Sequence, residues 1–133
     1  MESSAQSPAN PKAMTITGWI IGGLPALLML LTSPMAILKL PQAVEGMNQY
    51  GYPEAAIVPL GIAEMLSALL YLIPQTSPLG AILLTGYLGG ATATHVRAGE
   101  ASFFVPILFG MLFWGGLWFR YPSLRALIPL RRK

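Results

Sequence analysis

The sequence predicts an all-α membrane bundle of four helices with a short amphipathic helix between the first two, and three observations carry that reading. Only 10% of the 133 residues are charged, eight Lys or Arg and five Glu with no Asp, against about 25% in an ordinary soluble domain. The charges stand at the ends of long apolar gaps: 26 uncharged residues between Lys12 and Lys39, 32 between Glu64 and Arg97, and 19 between Glu100 and Arg120. The mean hydropathy of +0.60 points the same way, to lipid rather than water as the solvent.

A bilayer-crossing helix needs about 20 mostly apolar residues, which places spans near 14–36, 55–73, 79–97 and 103–120. The polar stretch before them, 1–13, is rich in Ser, Pro, Ala, Asn and Gln and reads as a disordered leader. Residues 14–121 form one transmembrane domain, and 122–133 a basic cytoplasmic tail. The first span exceeds the 7–15-residue apolar core of a signal peptide and no A-x-A site follows it, so it is expected to be retained. The turn-like Pro74-Gln75-Thr76-Ser77-Pro78 separates the second and third spans. Pro25, Pro59 and Pro106 are tolerable in membrane helices whose neighbours satisfy the freed carbonyls, and Pro106 falls in a first turn, where it costs little.

Four spans put both termini on one side. That side carries Lys12, Arg120, Arg125, Arg131, Arg132 and Lys133, and the other only Lys39 and Arg97, so the termini are expected in the cytoplasm. Trp19, Tyr71, Trp118 and Tyr121 fall near the cytoplasmic ends as an aromatic belt, and Tyr50, Tyr52, Phe103 and Phe104 near the outer ends. Between the first two spans, Leu40 to Tyr52 reads as a short amphipathic helix. Pro41 suits its first turn, Gly51 its stop, and Val44, Met47 and Tyr50 share one face. Two readings stand for it: an interfacial linker, or a lid over an outward-facing cavity.

Lipid gives no hydrophobic push between helices, so close packing and polar contacts must hold the bundle. Gly18-xxx-Gly22 and Gly86-xxx-Gly90 offer small-residue grooves, read as packing surfaces. Gly61, Glu64, Ala68 and Tyr71 form a stripe at helical spacing that should face inward.

Glu64 is the most informative residue. It lies ten residues after Glu54, about 15 Å along an α-helix, near the bilayer midplane, where a charge costs about 2.5–3.5 kcal/mol. Such a carboxyl must be protonated, paired or next to water; it either handles a proton or a ligand, or ties two helices together. Tyr87, ten residues before Arg97, matches its depth and is the expected partner. Tyr87, Ala91, Thr94, His95 and Ala98 share one face of the third span, and His95 is the only histidine. Lys39, Glu45, Arg97 and Glu100 at the outer ends could ring a cavity mouth or simply anchor the interface. The candidate ligand-binding set is thus Glu64, Tyr87, Thr94, His95, Arg97 and Lys39. Glu64 is the best catalytic candidate.

The absence of cysteine excludes thiol catalysis, iron–sulfur clusters and CxxCH haem attachment within the chain. One histidine cannot supply two axial haem ligands, and no metal, haem or flavin is implied. No phosphate loop or nucleophile triad is present. The net charge of +3 does not form the basic, aromatic-interleaved stripe of a nucleic-acid binder.

Several stretches together resemble the DoxX-like family of small four-helix membrane proteins. They are Leu38-Lys39-Leu40 through Gly51-Tyr52-Pro53; Gly61-Ile62-Ala63-Glu64; Gly86 to Gly99 with Thr94-His95-Val96-Arg97; and Trp114-Gly115-Gly116-Leu117-Trp118 with Ser123-Leu124-Arg125. The resemblance covers most of 15–131 and implies a multi-pass protein of the bacterial cytoplasmic membrane. It also implies an accessory or binding role, since some relatives look like subunits of membrane oxidoreductase systems such as thiosulfate:quinone oxidoreductase. By that resemblance Glu64 and His95 carry over as a site, with a quinone-like ligand and a redox-protein partner as the expected company. Without cysteine, a redox role would use a bound quinone or the partner's cofactor. The alternatives are an enzyme acting on a lipophilic substrate through Glu64, and a purely structural subunit. The oligomeric state is left open.

Overall fold

The computed structural model describes residues 10–131; the leader before Asn10 and the last two basic residues of the tail lie outside the described residues. The described chain holds four long helices, α1 (Lys12–Ile37), α3 (Ile57–Leu72), α4 (Ser77–Arg97) and α5 (Phe104–Arg120), and two short ones, α2 (Pro41–Gln49) and α6 (Pro122–Arg125). Single 3₁₀ turns at Glu54–Ala56, Pro74–Thr76 and Ala101–Phe103 lead into α3, α4 and α5. The expected spans lie within two residues of the helices found. α1 begins at Lys12 rather than 14, because the Thr15 N–H bonds back to the Pro11 carbonyl and Asn10 Nδ2 donates to the Thr15 hydroxyl at 2.7 Å.

The long helices pack as a ring: α1 lies against α3 and α5, and α4 against the same two. Consecutive long helices run in opposite directions, because the start of α1, the end of α3, the start of α4 and the end of α5 meet at one pole. There Tyr71, Ser77 and Arg120 are buried with Trp19 beside them. Outward faces are apolar: Ile20, Leu24, Leu28 and Leu31 of α1 and Leu108 and Met111 of α5 are all exposed. So continuous an apolar exterior suits lipid, not water. Three stretches are long and apolar enough to cross a membrane: Lys12–Ile37, Glu54–Leu72 and Ala101–Arg120. α4 has the length, at 21 residues, but its Thr, Gly and His content makes it the most polar of the four.

The pole at the N-terminal end of α1 is closed. Gly18 and Gly22 of α1 meet Gly116 of α5 so closely that a Cβ at Gly116 would lie 2.8 Å from the Gly18 carbonyl oxygen and 2.9 Å from the Gly22 Cα. Tyr71 fills the remaining space; it is fully buried, and its hydroxyl donates to the Phe113 carbonyl at 2.6 Å. Arg120 plugs the end. Its guanidinium lies 3.5 Å from the Trp19 ring centre and donates to Ser77 Oγ at 2.8 Å. Of the expected aromatic belt, Tyr71 is corrected, since it is fully buried; Trp19, Tyr71 and Tyr121 converge on Arg120, at 3.5, 5.6 and 5.2 Å. Arg120 itself is 6% exposed rather than a tail anchor, because the glycines opposite leave room for its stem. Arg125 is no free anchor either. It caps α5, donating to the Trp118 and Phe119 carbonyls at 2.8 and 3.1 Å.

The expected packing role of Gly86-xxx-Gly90 does not hold. A Cβ at Gly86, Gly89 or Gly90 would meet nothing within 4 Å. These glycines leave open space instead of bringing two helices together.

Candidate functional site

The opposite pole gathers the end of α1, the start of α3, the end of α4, the start of α5, and α2. Pro41 stands in the first turn of α2, and Gly51, at φ 82°, reverses the chain after it. A left-handed residue at that point suits glycine. The reversal lets Tyr50 and Tyr52, on either side of it, both reach α4. Arg97 Nη2 donates to the Tyr50 carbonyl at 2.6 Å, and the Tyr50 hydroxyl donates to Glu100 Oε1 at 2.7 Å. Tyr52 Oη is hydrogen-bonded to Thr94 Oγ1. That carboxylate contact holds the Tyr50 phenol proton and raises its pKa above the ordinary 10.0.

Beneath α2 lies a cavity of about 310 Å³, walled by Tyr50, Tyr52, Tyr87, Thr94 and His95 and floored by Gly86, Gly90 and Ala91. Met47 and Leu60 complete its apolar lining. The size sits at the low end for small-molecule pockets, enough for one ring or head group. Gly86 and Gly90 form a flat floor, because neither carries a Cβ that would occupy the space. Behind Tyr87 stands Glu64: the Tyr87 hydroxyl donates to Glu64 Oε1 at 3.2 Å, and Thr32 of α1 donates to Oε2 at 3.4 Å. His95 is fixed from its other side, where Nδ1 lies 2.7 Å from the Ala91 carbonyl. A carbonyl oxygen only accepts, so that nitrogen carries the proton.

Of the six expected ligand-binding residues, the structure brings four together. Tyr87, Thr94 and His95 line the cavity, and Glu64 supports Tyr87 from behind at matched depth. Arg97 turns to the surface to hold the Tyr50 carbonyl, and Lys39 pairs with Glu54 at 3.5 Å on another edge. The expected ring of mouth charges is thus split. Lys39 leaves α1 in a left-handed conformation, at φ 53°, and its ammonium pairs with Glu54 rather than joining the cavity mouth. Glu100 does reach the cavity mouth, 3.8 Å from His95 Nε2. Sequence reasoning missed Tyr50 and Tyr52 as wall residues, Gly86 and Gly90 as the floor, and Thr32 as a partner of Glu64. The available signal was the Tyr-Gly-Tyr run, whose central glycine permits the reversal. Of the two readings of α2, the cavity wall it supplies through Met47 and Tyr50 supports the lid.

A second groove, about 360 Å³, runs between α4 and α5 along Leu88, Pro106, Ile107 and Met111. Its polar groups are all engaged: Thr85 and Thr92 donate to the carbonyls of Ala81 and Leu88, and Trp114 Nε1 donates to Thr85 at 2.7 Å. Its exposed lining is almost wholly apolar, and the more polar cavity beneath α2 is the candidate site. Among the described residues no three His, Cys, Asp or Glu side chains gather as a metal site.

Compared with known protein families, residues 20–116 match the DoxX-like family. The chain belongs to the DoxX-like family. The matched stretch contains every residue of the cavity wall and floor, together with Glu64, Thr32 and the Gly22–Gly116 contact; Arg120 lies just beyond it. With its apolar spans, this DoxX-like chain is a membrane protein. Comparison with curated proteins and with solved structures gives no match.

Proposed function

We propose that this DoxX-like protein is a multi-pass accessory protein of the bacterial cytoplasmic membrane that binds the ring or head group of a lipophilic molecule, quinone-like in size and shape, beneath α2. The observation that carries this reading is the cavity itself. Three tyrosines and the only histidine converge on a space floored by glycine, in a protein otherwise sheathed in apolar side chains. α4 is the fourth span in this reading, with Tyr87, Thr94 and His95 turned to the cavity. Delivery of the bound molecule to a redox-protein partner would give the accessory role.

The test is extraction and mass spectrometry of lipophiles that co-purify in mild detergent, for the wild type and for Gly90→Leu, whose side chain fills the cavity floor. A lipophile enriched in the wild type and lost from Gly90→Leu is expected; equal amounts in both would overturn the assignment. A second reading, acid–base chemistry at Glu64, is favoured by a carboxyl held by two hydroxyls with no cation beside it among the described residues. A turnover that disappears in Glu64→Gln while melting is unchanged would establish it.

Sidedness follows the basic residues, with the termini cytoplasmic. Because the chain has no cysteine, single thiols introduced at Ser123 and Ser102, both exposed, report it directly. An impermeant thiol reagent should label Ser102→Cys and not Ser123→Cys from outside intact cells; the reverse pattern would overturn the orientation.

A further inference from the structure

We propose that the cavity selects a ligand that donates hydrogen bonds, a hydroquinone or other phenolic ring, over the corresponding quinone. This rests on the cavity being a ligand site, as above. Every polar proton on its walls can be assigned, and each is spent inside the protein.

Thr94 Oγ1 donates to the Gly90 carbonyl at 2.9 Å. With Thr94 bonded to Gly90 in this way, Tyr52 is the donor in its bond to Thr94. Tyr50 has one proton, and it goes to Glu100 Oε1 at 2.7 Å. Tyr87 donates to Glu64 Oε1. This holds with Glu64 ionised, and equally with Glu64 protonated on Oε2. A proton on Oε2 can pass to Thr32, whose own proton then goes to the Met29 carbonyl at 3.2 Å. His95 carries its proton on Nδ1, engaged with Ala91, which leaves Nε2 of the neutral ring as a lone pair. The Tyr50 hydroxyl is 3.4 Å from Nε2 but its proton is on Glu100, so that lone pair has no donor.

In this arrangement the walls present acceptors: the lone pairs of Tyr50, Tyr52 and Tyr87 Oη and of His95 Nε2 in the neutral ring. A quinone brings two carbonyl oxygens and no donor, so its oxygens would face the oxygen and nitrogen lone pairs of the wall. A hydroquinone of nearly the same shape brings two O–H groups to the same atoms. Sites built around one hydrogen-bonding polarity discriminate strongly against its opposite, because the mismatched buried groups stay unpaired. The glycine floor accepts both rings equally, so shape does not make the difference.

Tetramethylbenzoquinone and tetramethylhydroquinone, titrated separately under argon into the purified protein in mild detergent and followed by calorimetry, test this. The hydroquinone is expected to bind at least tenfold more tightly. In His95→Phe, which removes the unpaired acceptor, hydroquinone affinity should fall while quinone affinity holds or rises, so the ratio narrows. Tyr87→Phe should narrow the ratio in the same direction, and a melting curve confirms that each variant is folded. Should either variant not fold, the wild-type ratio decides. Equal binding of the two forms, or tighter binding of the quinone, overturns the selectivity and leaves the cavity a ligand site. Binding of neither form overturns both.

Discussion

The two poles of the bundle are built from the same kinds of residue and behave oppositely. At the closed pole, Gly18, Gly22 and Gly116 bring α1 and α5 into contact, Tyr71 donates into the core and Arg120 is sealed among aromatic rings. At the open pole, Gly86 and Gly90 face empty space, Tyr50, Tyr52 and Tyr87 stand around it, and the charged groups lie at its rim or behind its wall. A glycine pair spaced by three residues thus has two uses. It draws helices together where another helix is opposite, and it leaves a hollow where a short helix such as α2 spans the gap instead of packing into it.

The largest expected contrast lies between the two sets of glycines. Gly116→Ala would push a methyl into the backbone of α1, and about 3 kcal/mol of stability should be lost, the upper end of overpacking costs. Gly90→Ala meets nothing and should be neutral or gain up to about 1 kcal/mol from better helix propensity. Denaturation in detergent would measure both, and similar losses at the two positions would erase the distinction between the poles.

The tyrosines give the next effect. Tyr71→Phe removes a buried donor to the Phe113 carbonyl and should cost about 1–1.5 kcal/mol. Tyr87→Phe should cost less, under about 1 kcal/mol, since Glu64 keeps Thr32. Its consequence should appear in ligand binding rather than in melting.

Arg120→Met should be small, within about 1 kcal/mol of wild type. Among the described residues no carboxylate faces Arg120, and its Nη1 has no partner. Removing the side chain also orphans nothing, because Ser77 still donates to the Ile73 carbonyl at 3.1 Å and Tyr121 to the Pro74 carbonyl at 3.1 Å. The lost cation–π contact with Trp19 is offset by the desolvation cost of the charge. A loss well above that would mean the closed pole depends on its cation.

The smallest effect is local and alkaline. The Tyr50 pKa is raised in the fold by its bond to Glu100. A raised pKa means the protonated form is favoured by folding, so the tie between α2 and α4 is intact at and below the ordinary phenol value. It is lost as pH rises through the folded value. Hydrogen exchange over 41–52 should therefore quicken above the ordinary 10.0 while the α1–α5 contact stays protected.

Much of the fold was legible in the chain. The charge gaps located the long helices within two residues, because in lipid a helix must be long, apolar and internally hydrogen-bonded, and those demands act locally. Pro41 and Gly51 bracketed α2 for equally local reasons. The inward stripe of Gly61, Ala68 and Tyr71 and the pairing of Glu64 with Tyr87 followed from helical spacing and from depth.

What the sequence by itself determined, then, is the class, the long helices and the level at which Glu64 meets Tyr87. Only the tertiary structure decided which glycine pair packs and which hollows, because GxxxG reads the same until a neighbour is placed opposite it. It alone separated Arg97 and Lys39 from the cavity and drew Tyr50 and Tyr52 into it, since long side chains reach whichever partner the chain reversal brings near. It also buried Arg120. In sequence that residue stands at the end of a span beside a basic tail, like any anchor; the room for it exists only where three helices contribute glycine and aromatic surface at the same point.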